Sequence, residues 1–123
     1  MKILLVDDSD FSMDMLSAML PVTDTSDVIR AKDGEEAVQI FKNSAEGEIS
    51  LIIMDIIMEK ERGDKAADDI RALDRADAKS VIIFAATAYK AFDIEKEGKS
   101  FNGVIFKPFK RDEVNQIIES CKN

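Results

Sequence analysis

The chain has 123 residues, 46% apolar and 34% charged, which suits one folded domain with a single core and excludes an intrinsically disordered chain. No apolar run reaches the roughly 18–20 residues of a membrane-spanning helix, and Asp7 interrupts the first apolar run too early for a secretory leader. A formal net charge of −8 opposes contact with nucleic-acid phosphates, and the absence of histidine excludes imidazole metal sites, Ser-His-Asp or Cys-His catalysis and any self-supplied phosphohistidine.

Taken in order, the chain alternates strand and helix patterns. Ile3 to Val6 is a short apolar run that predicts a buried strand, and helical apolar spacing follows from about Asp10 to Leu20, closed by Pro21. Asp27 to Ala31 is a second, weaker strand candidate. Asp33-Gly34-Glu35-Glu36 opens a helix, with an Asp cap and acids in the first turn, and Ala37, Val38, Ile40 and Phe41 form its apolar face. Leu51 to Met54 predicts the third strand and about Asp64 to Leu73 the third helix. Ser80 to Ala86, with the β-branched Val81, Ile82 and Ile83, predicts the fourth strand. A thin apolar stripe over Phe92 to Gly98 predicts a short helix, Gly103 to Phe106 the fifth strand and Arg111 to Lys122 the last helix. The strands are continuous apolar runs, as strands covered on both faces require. Five β–α units with right-handed crossovers imply an α/β fold, a doubly wound five-stranded parallel sheet with five helices, and residues 1–123 are expected to form a single domain.

In such a sheet, functional groups gather at the carboxyl ends of the strands. The residues that follow the apolar runs are Asp7-Asp8, Asp55, Thr87 and Lys107. Three carboxylates, a hydroxyl and an ammonium would share one crevice. Carboxylates held that close repel one another unless a cation joins them. Mg²⁺ takes oxygen ligands and few protein carboxylates, which fits this acid-rich, imidazole-free set. Asp55 is the plausible nucleophile for an in-line displacement that yields an acyl phosphate, with Lys107 and Thr87 on the other phosphoryl oxygens.

These residues fall in motifs that resemble the receiver domains of two-component response regulators over essentially the whole chain. The matching segments are Ile3-Leu4-Leu5-Val6-Asp7-Asp8-Ser9, Asp33-Gly34-Glu35-Glu36-Ala37, Leu51 to Met58 with Gly63 beyond, Thr87-Ala88 and Lys107-Pro108-Phe109. The resemblance implies a flavodoxin-like topology and a stand-alone, chemotaxis-regulator-like signalling domain of the cytoplasm. It implies that Asp55 accepts phosphate from the phosphohistidine of a sensor histidine kinase or phosphotransfer protein, and that the loaded chain binds a downstream protein target. It further implies Mg²⁺ held by Asp7, Asp8, Asp55 and the Ile57 carbonyl, a Thr87 that shifts toward the phosphoryl group, and a cis Lys107–Pro108 bond. As a phosphoacceptor that assists its own phosphorylation and dephosphorylation, the chain is expected not to be a turnover enzyme, and to act as a monomer or weak dimer.

The chain departs from the family pattern at several places. Val104 stands three residues before the lysine, where the family usually has Tyr or Phe. Glu59 replaces a common proline, and the segment from Thr87 to Lys107 is slightly short. Ile57 and Tyr89 lie two residues beyond Asp55 and Thr87, positions that flank the path of an attacking water in this family; neither orients water, so slow self-dephosphorylation is expected. The alternatives are the receiver portion of a longer regulator with a DNA-binding or enzymatic output, and a Mg²⁺-dependent phosphohydrolase. The latter lacks a second Asp two residues after the nucleophile, Ile57 standing there instead. A flavodoxin-like cofactor binder would need a Gly- or Ser-rich first loop rather than Asp7-Asp8-Ser9-Asp10. Lone Cys121 reads as a reduced helix residue, Met13, Met15 and Met19 as core and surface filler on a helix, Lys60-Glu61-Arg62 as a solvated loop, and Phe101, Phe106 and Phe109 as core or as a hydrophobic surface for dimerisation or partner docking.

Overall fold

A computed structural model of the chain describes residues 1–21, 27–58, 62–93, 96 and 98–121. Among them, five strands run β1 (Lys2–Val6), β2 (Val28–Ala31), β3 (Ile49–Asp55), β4 (Ile82–Thr87) and β5 (Gly103–Phe106), in the order β2-β1-β3-β4-β5. Every neighbouring pair is parallel. This is the flavodoxin-like order, in which the direction of strand addition reverses between β1 and β3 and a crevice opens above their carboxyl ends.

The helices are α1 (Asp10–Met19), α2 (Gly34–Asn43), α3 (Gly63–Arg71), α4 (Ala76–Ser80) and α5 (Arg111–Ser120). Alternation along the strands divides the core into two layers. Leu4, Val6, Ile52, Met54, Ile83 and Ala85 pack with Phe41 of α2 and Ala66, Ala67 and Ile70 of α3. Ile3, Leu5, Leu51 and Ile53 pack with Met13 and Leu16 of α1 and Val114, Ile117 and Ile118 of α5. Sequence periodicity carried this far because each strand contributes residues to both layers.

Two helix starts have side-chain caps. Ser9 Oγ accepts from Ser12 N–H at 3.2 Å, and Asp33 Oδ1 accepts from Glu36 N–H at 2.8 Å. The Ser9 cap starts α1 directly after Asp7 and Asp8, so the first crevice residues are held by a fixed turn.

The fold class is as expected, with differences in detail. Ser80 ends the five-residue α4, which the sequence did not mark, and β4 begins at Ile82. The helix expected over Phe92 to Gly98 falls partly on residues 94, 95 and 97, outside the described residues. So do Glu59, Lys60, Glu61 and the last turn expected at Lys122. Met13 is buried and Met15 exposed, as core and surface filler on one helix would be. Phe101 and Phe109 are in the core, but Phe106 is only half-buried.

Candidate active site

The carboxyl ends of β1, β3, β4 and β5 bring Asp7, Asp55, Thr87 and Lys107 together. Asp7, Asp55 and Thr87 are the only buried polar side chains among the described residues. Asp7, Asp8 and Asp55 each offer one carboxylate oxygen within 4.8 Å of the others, Asp8 from an exposed position. Lys107, a hundred residues from Asp7 along the chain, places Nζ 2.9 Å from Asp7 Oδ2 and 3.4 Å from Asp55 Oδ2.

Backbone contacts fix each group. Asp7 Oδ1 accepts from Ser9 N–H at 2.9 Å, and Asp7 N–H donates to the Ala31 carbonyl at 3.1 Å. Ile56 N–H donates to the Ala86 carbonyl at 3.1 Å, while Gly63 N–H donates to the Ile56 carbonyl at 2.9 Å. A Cβ on Gly63 would lie 2.1 Å from the Asp55 carbonyl oxygen, so only glycine lets α3 approach the end of β3 this closely. Lys107 N–H donates to the Thr87 carbonyl at 2.9 Å, and Thr87 Oγ1 accepts from Tyr89 N–H at 3.0 Å. The Lys107–Pro108 peptide bond is cis, as expected.

Electrostatically the cluster lacks positive charge. Burial pushes the Asp55 carboxyl up to about 6, Asp7 adds to the rise, and Lys107 with the Ile57 N–H only partly offsets it. Burial alone would lower the Lys107 ammonium, yet its bonds and charge contacts with Asp7 and Asp55 outweigh burial and raise it. A small, hard divalent cation fits this site, because the donors are all oxygens and the unmet negative charge lies between them. Ile57 contributes through its backbone; its side chain is 65% exposed, and Tyr89 is 56% exposed.

Two contacts here were not visible in the sequence. Gly63 stood out as a motif residue, but its packing on the Asp55 carbonyl depends on how α3 docks. Lys90, which lies over the Phe106 ring and near the Lys107 carbonyl, had no sequence signal because the contact crosses two strand ends.

Residues 3–119 match the response regulator receiver domain family. The chemotaxis protein CheY of Halobacterium salinarum is 31% identical over 118 residues, covering 95% of this chain and 92% of that protein. The sensory transduction protein LytR of Streptococcus agalactiae is 28% identical over 99% of this chain, which spans only 48% of LytR. The structure of the response regulator TrrA of Thermotoga maritima, in complex with Mg²⁺ and BeF, superposes with a TM-score of 0.80 at 26% identity, covering 98% of this chain and 99% of that one. The chain belongs to the response regulator receiver domain family.

Proposed function

We propose, from this membership, that the chain is a phosphoacceptor whose Asp55 takes a phosphoryl group from a histidine kinase or phosphotransfer protein. The loaded form then signals by binding a downstream protein. The observation that carries this reading is the buried meeting of Asp7, Asp55 and Lys107 at the crevice between β1 and β3.

In the transfer, an Asp55 Oδ attacks phosphorus in line while the donor's phosphorus–nitrogen bond breaks, and the electron pair stays on the donor nitrogen. Lys107 exchanges part of its contact with Asp7 for a phosphoryl oxygen. Thr87 donates its hydroxyl proton to a second oxygen while Oγ1 keeps the Tyr89 N–H. Asp7, Asp8, Asp55 and the Ile57 carbonyl are the ligands assigned to Mg²⁺, which when bound supplies the positive charge that the incoming phosphoryl group needs. Any protein donor must cover the mouth of this crevice, where the exposed Phe11, Ile57 and Tyr89 follow the site residues along the chain.

The acyl phosphate is the signal rather than a turnover intermediate, and its decay is slow because Ile57 and Tyr89 are bulky and neither is a carboxylate or carboxamide suited to orient water. Residues 1–123 act as one receiver domain, in the cytoplasm, as a monomer or weak dimer without direct nucleic-acid contact. A stand-alone role like that of CheY is the first reading, and the receiver portion of a longer regulator, as in LytR, of which this chain spans 48%, is the second. The test is calorimetric titration of the chain with beryllofluoride in Mg²⁺. One saturable site, lost in Asp55→Asn and on removal of Mg²⁺, is expected. Equal binding by Asp55→Asn, or none by the native chain, would overturn the reading.

A further inference from the structure

The Lys107 ammonium touches more than carboxylates. It is 2.9 Å from Asp7 Oδ2 and 3.4 Å from Asp55 Oδ2, and it also lies over the ring of Phe109, 6.0 Å from the ring centroid. Phe109 is buried in the core layer that the sheet forms with α1 and α5. With Asp7, Ser12 and Ala86 it lines a void of about 10 Å³ beside the crevice, no more than the room of one water. One side of the ring is therefore core, and another is a wall of the site.

These three neighbours of the ammonium respond differently when the site is loaded. Asp7 and Asp55 are ligands assigned to Mg²⁺. A divalent cation between those carboxylates meets their charge and repels the ammonium, so both ion pairs weaken together. The Lys107 side chain, 22% exposed, is then free to turn toward water, where an ammonium is strongly hydrated. The Phe109 ring has no charge to lose, no proton to exchange and no lone pair for the metal. Its negative face attracts the ammonium, more strongly where water is kept away. The ring contact therefore survives the event that loosens the other two.

We propose that Phe109 is a positioning residue whose ring keeps the Lys107 ammonium at the crevice once a metal has taken the carboxylates. In the metal-free chain Asp7 and Asp55 hold Lys107, and the ring adds little. In the metal-bound chain the ring decides where the ammonium waits for a phosphoryl oxygen. Less of the binding energy at Asp55 is then spent on bringing Lys107 back from solvent. The inference rests on the phosphoacceptor reading and adds to it the group that orients its lysine.

Phe109→Leu would enlarge the void beside Asp7 and remove packing together with the ring face. The test therefore keeps the ring and weakens its face, by incorporating phenylalanine with one, two or three ring fluorines at Phe109 alone. Each chain is titrated calorimetrically with beryllofluoride in saturating Mg²⁺, and with Mg²⁺ alone. Beryllofluoride affinity is expected to fall with each added fluorine, by about two- to fivefold in all, the range such a contact allows. Affinity for Mg²⁺ alone should not weaken, and urea unfolding of the metal-free chains should stay native. A flat series, with the native chain binding beryllofluoride, would overturn the positioning role and leave the phosphoacceptor reading intact. So would a loss that follows Mg²⁺ affinity or urea stability, because the ring would then act only by packing. If the native chain binds no beryllofluoride, the reading fails and the inference with it.

Discussion

Asp55 sits in an environment that disfavours its charge, and that has a measurable consequence. Its carboxyl is raised from 3.8 to about 6, first by burial and then by Asp7, against the pull of Lys107. For a raised carboxyl, full stability is present below the unfolded value, and stability falls as pH rises from about 4 through about 6. At pH 7 without Mg²⁺, Asp55→Asn is therefore expected to be more stable than the native chain. After allowance for solvent screening the gain is about 1–2 kcal/mol, and urea denaturation should show it shrinking toward zero near pH 4. An equal difference at both pH values would show that charge is not its cause. Ile57 and Tyr89 carry the second prediction at this scale. The double variant Ile57→Asn, Tyr89→Glu should lose its phosphoryl group about tenfold faster or more, because a side chain that positions water acts directly on the barrier. Equal decay of the two phosphoproteins, followed by intact mass, would remove these positions from the account.

At the scale of elements, α3 is held at both ends by contacts that sequence spacing does not express. At its start, Gly63 packs against the Asp55 carbonyl so closely that Gly63→Ala must push α3 away from the end of β3. The expected cost is about 1–3 kcal/mol by denaturant unfolding, with slower phosphorylation because the Asp55 backbone moves as well. At its end, the half-buried Arg71 donates to the carbonyls of Ser100, Ala78 and Val81 and to Asn102 Oδ1, tying α3 to α4, to the Val81 link between α4 and β4, and to the segment before β5. Arg71→Leu removes the donor from these acceptors, of which Asn102 Oδ1 keeps the Ile83 N–H at 2.8 Å, and should cost about 2–3 kcal/mol without altering the site's affinity for beryllofluoride. A change in both properties would mean that this staple also positions the crevice.

The same elements show what was legible. β1 and β3 were readable because each is an apolar run ending in acid, so strand and site residue are marked by one feature. α4 was not, since it has five residues and buries only Ala78. It is held by distant partners: Arg75 grips Asp77 and the Phe41 and Ser44 carbonyls, and Gly47 N–H donates to Asp77. The candidate site was legible as residue types at strand ends. Its distances were not, because the Lys107–Asp7 bond joins residues a hundred apart and depends on the sheet order.

For the whole molecule, charge and cation linkage decide behaviour. The chain carries a formal net charge of −8 and gathers three carboxylates at one edge of its sheet, so an empty site works against folding. A cation that binds only the folded chain adds stability by mass action, about 2.7 kcal/mol at a concentration a hundred times its Kd. Thermal unfolding should therefore rise with Mg²⁺ in the native chain and rise far less in Asp7→Asn. An equal rise in both would place the ion elsewhere.

The central claim is that Asp55 is a Mg²⁺-dependent phosphoacceptor, and intact-mass spectrometry after incubation with acetyl phosphate tests it most directly. The account predicts one added phosphoryl group in the native chain with Mg²⁺, and none without Mg²⁺ or in Asp55→Asn. The same adduct on Asp55→Asn, or no adduct on a native chain that has bound Mg²⁺, would contradict it.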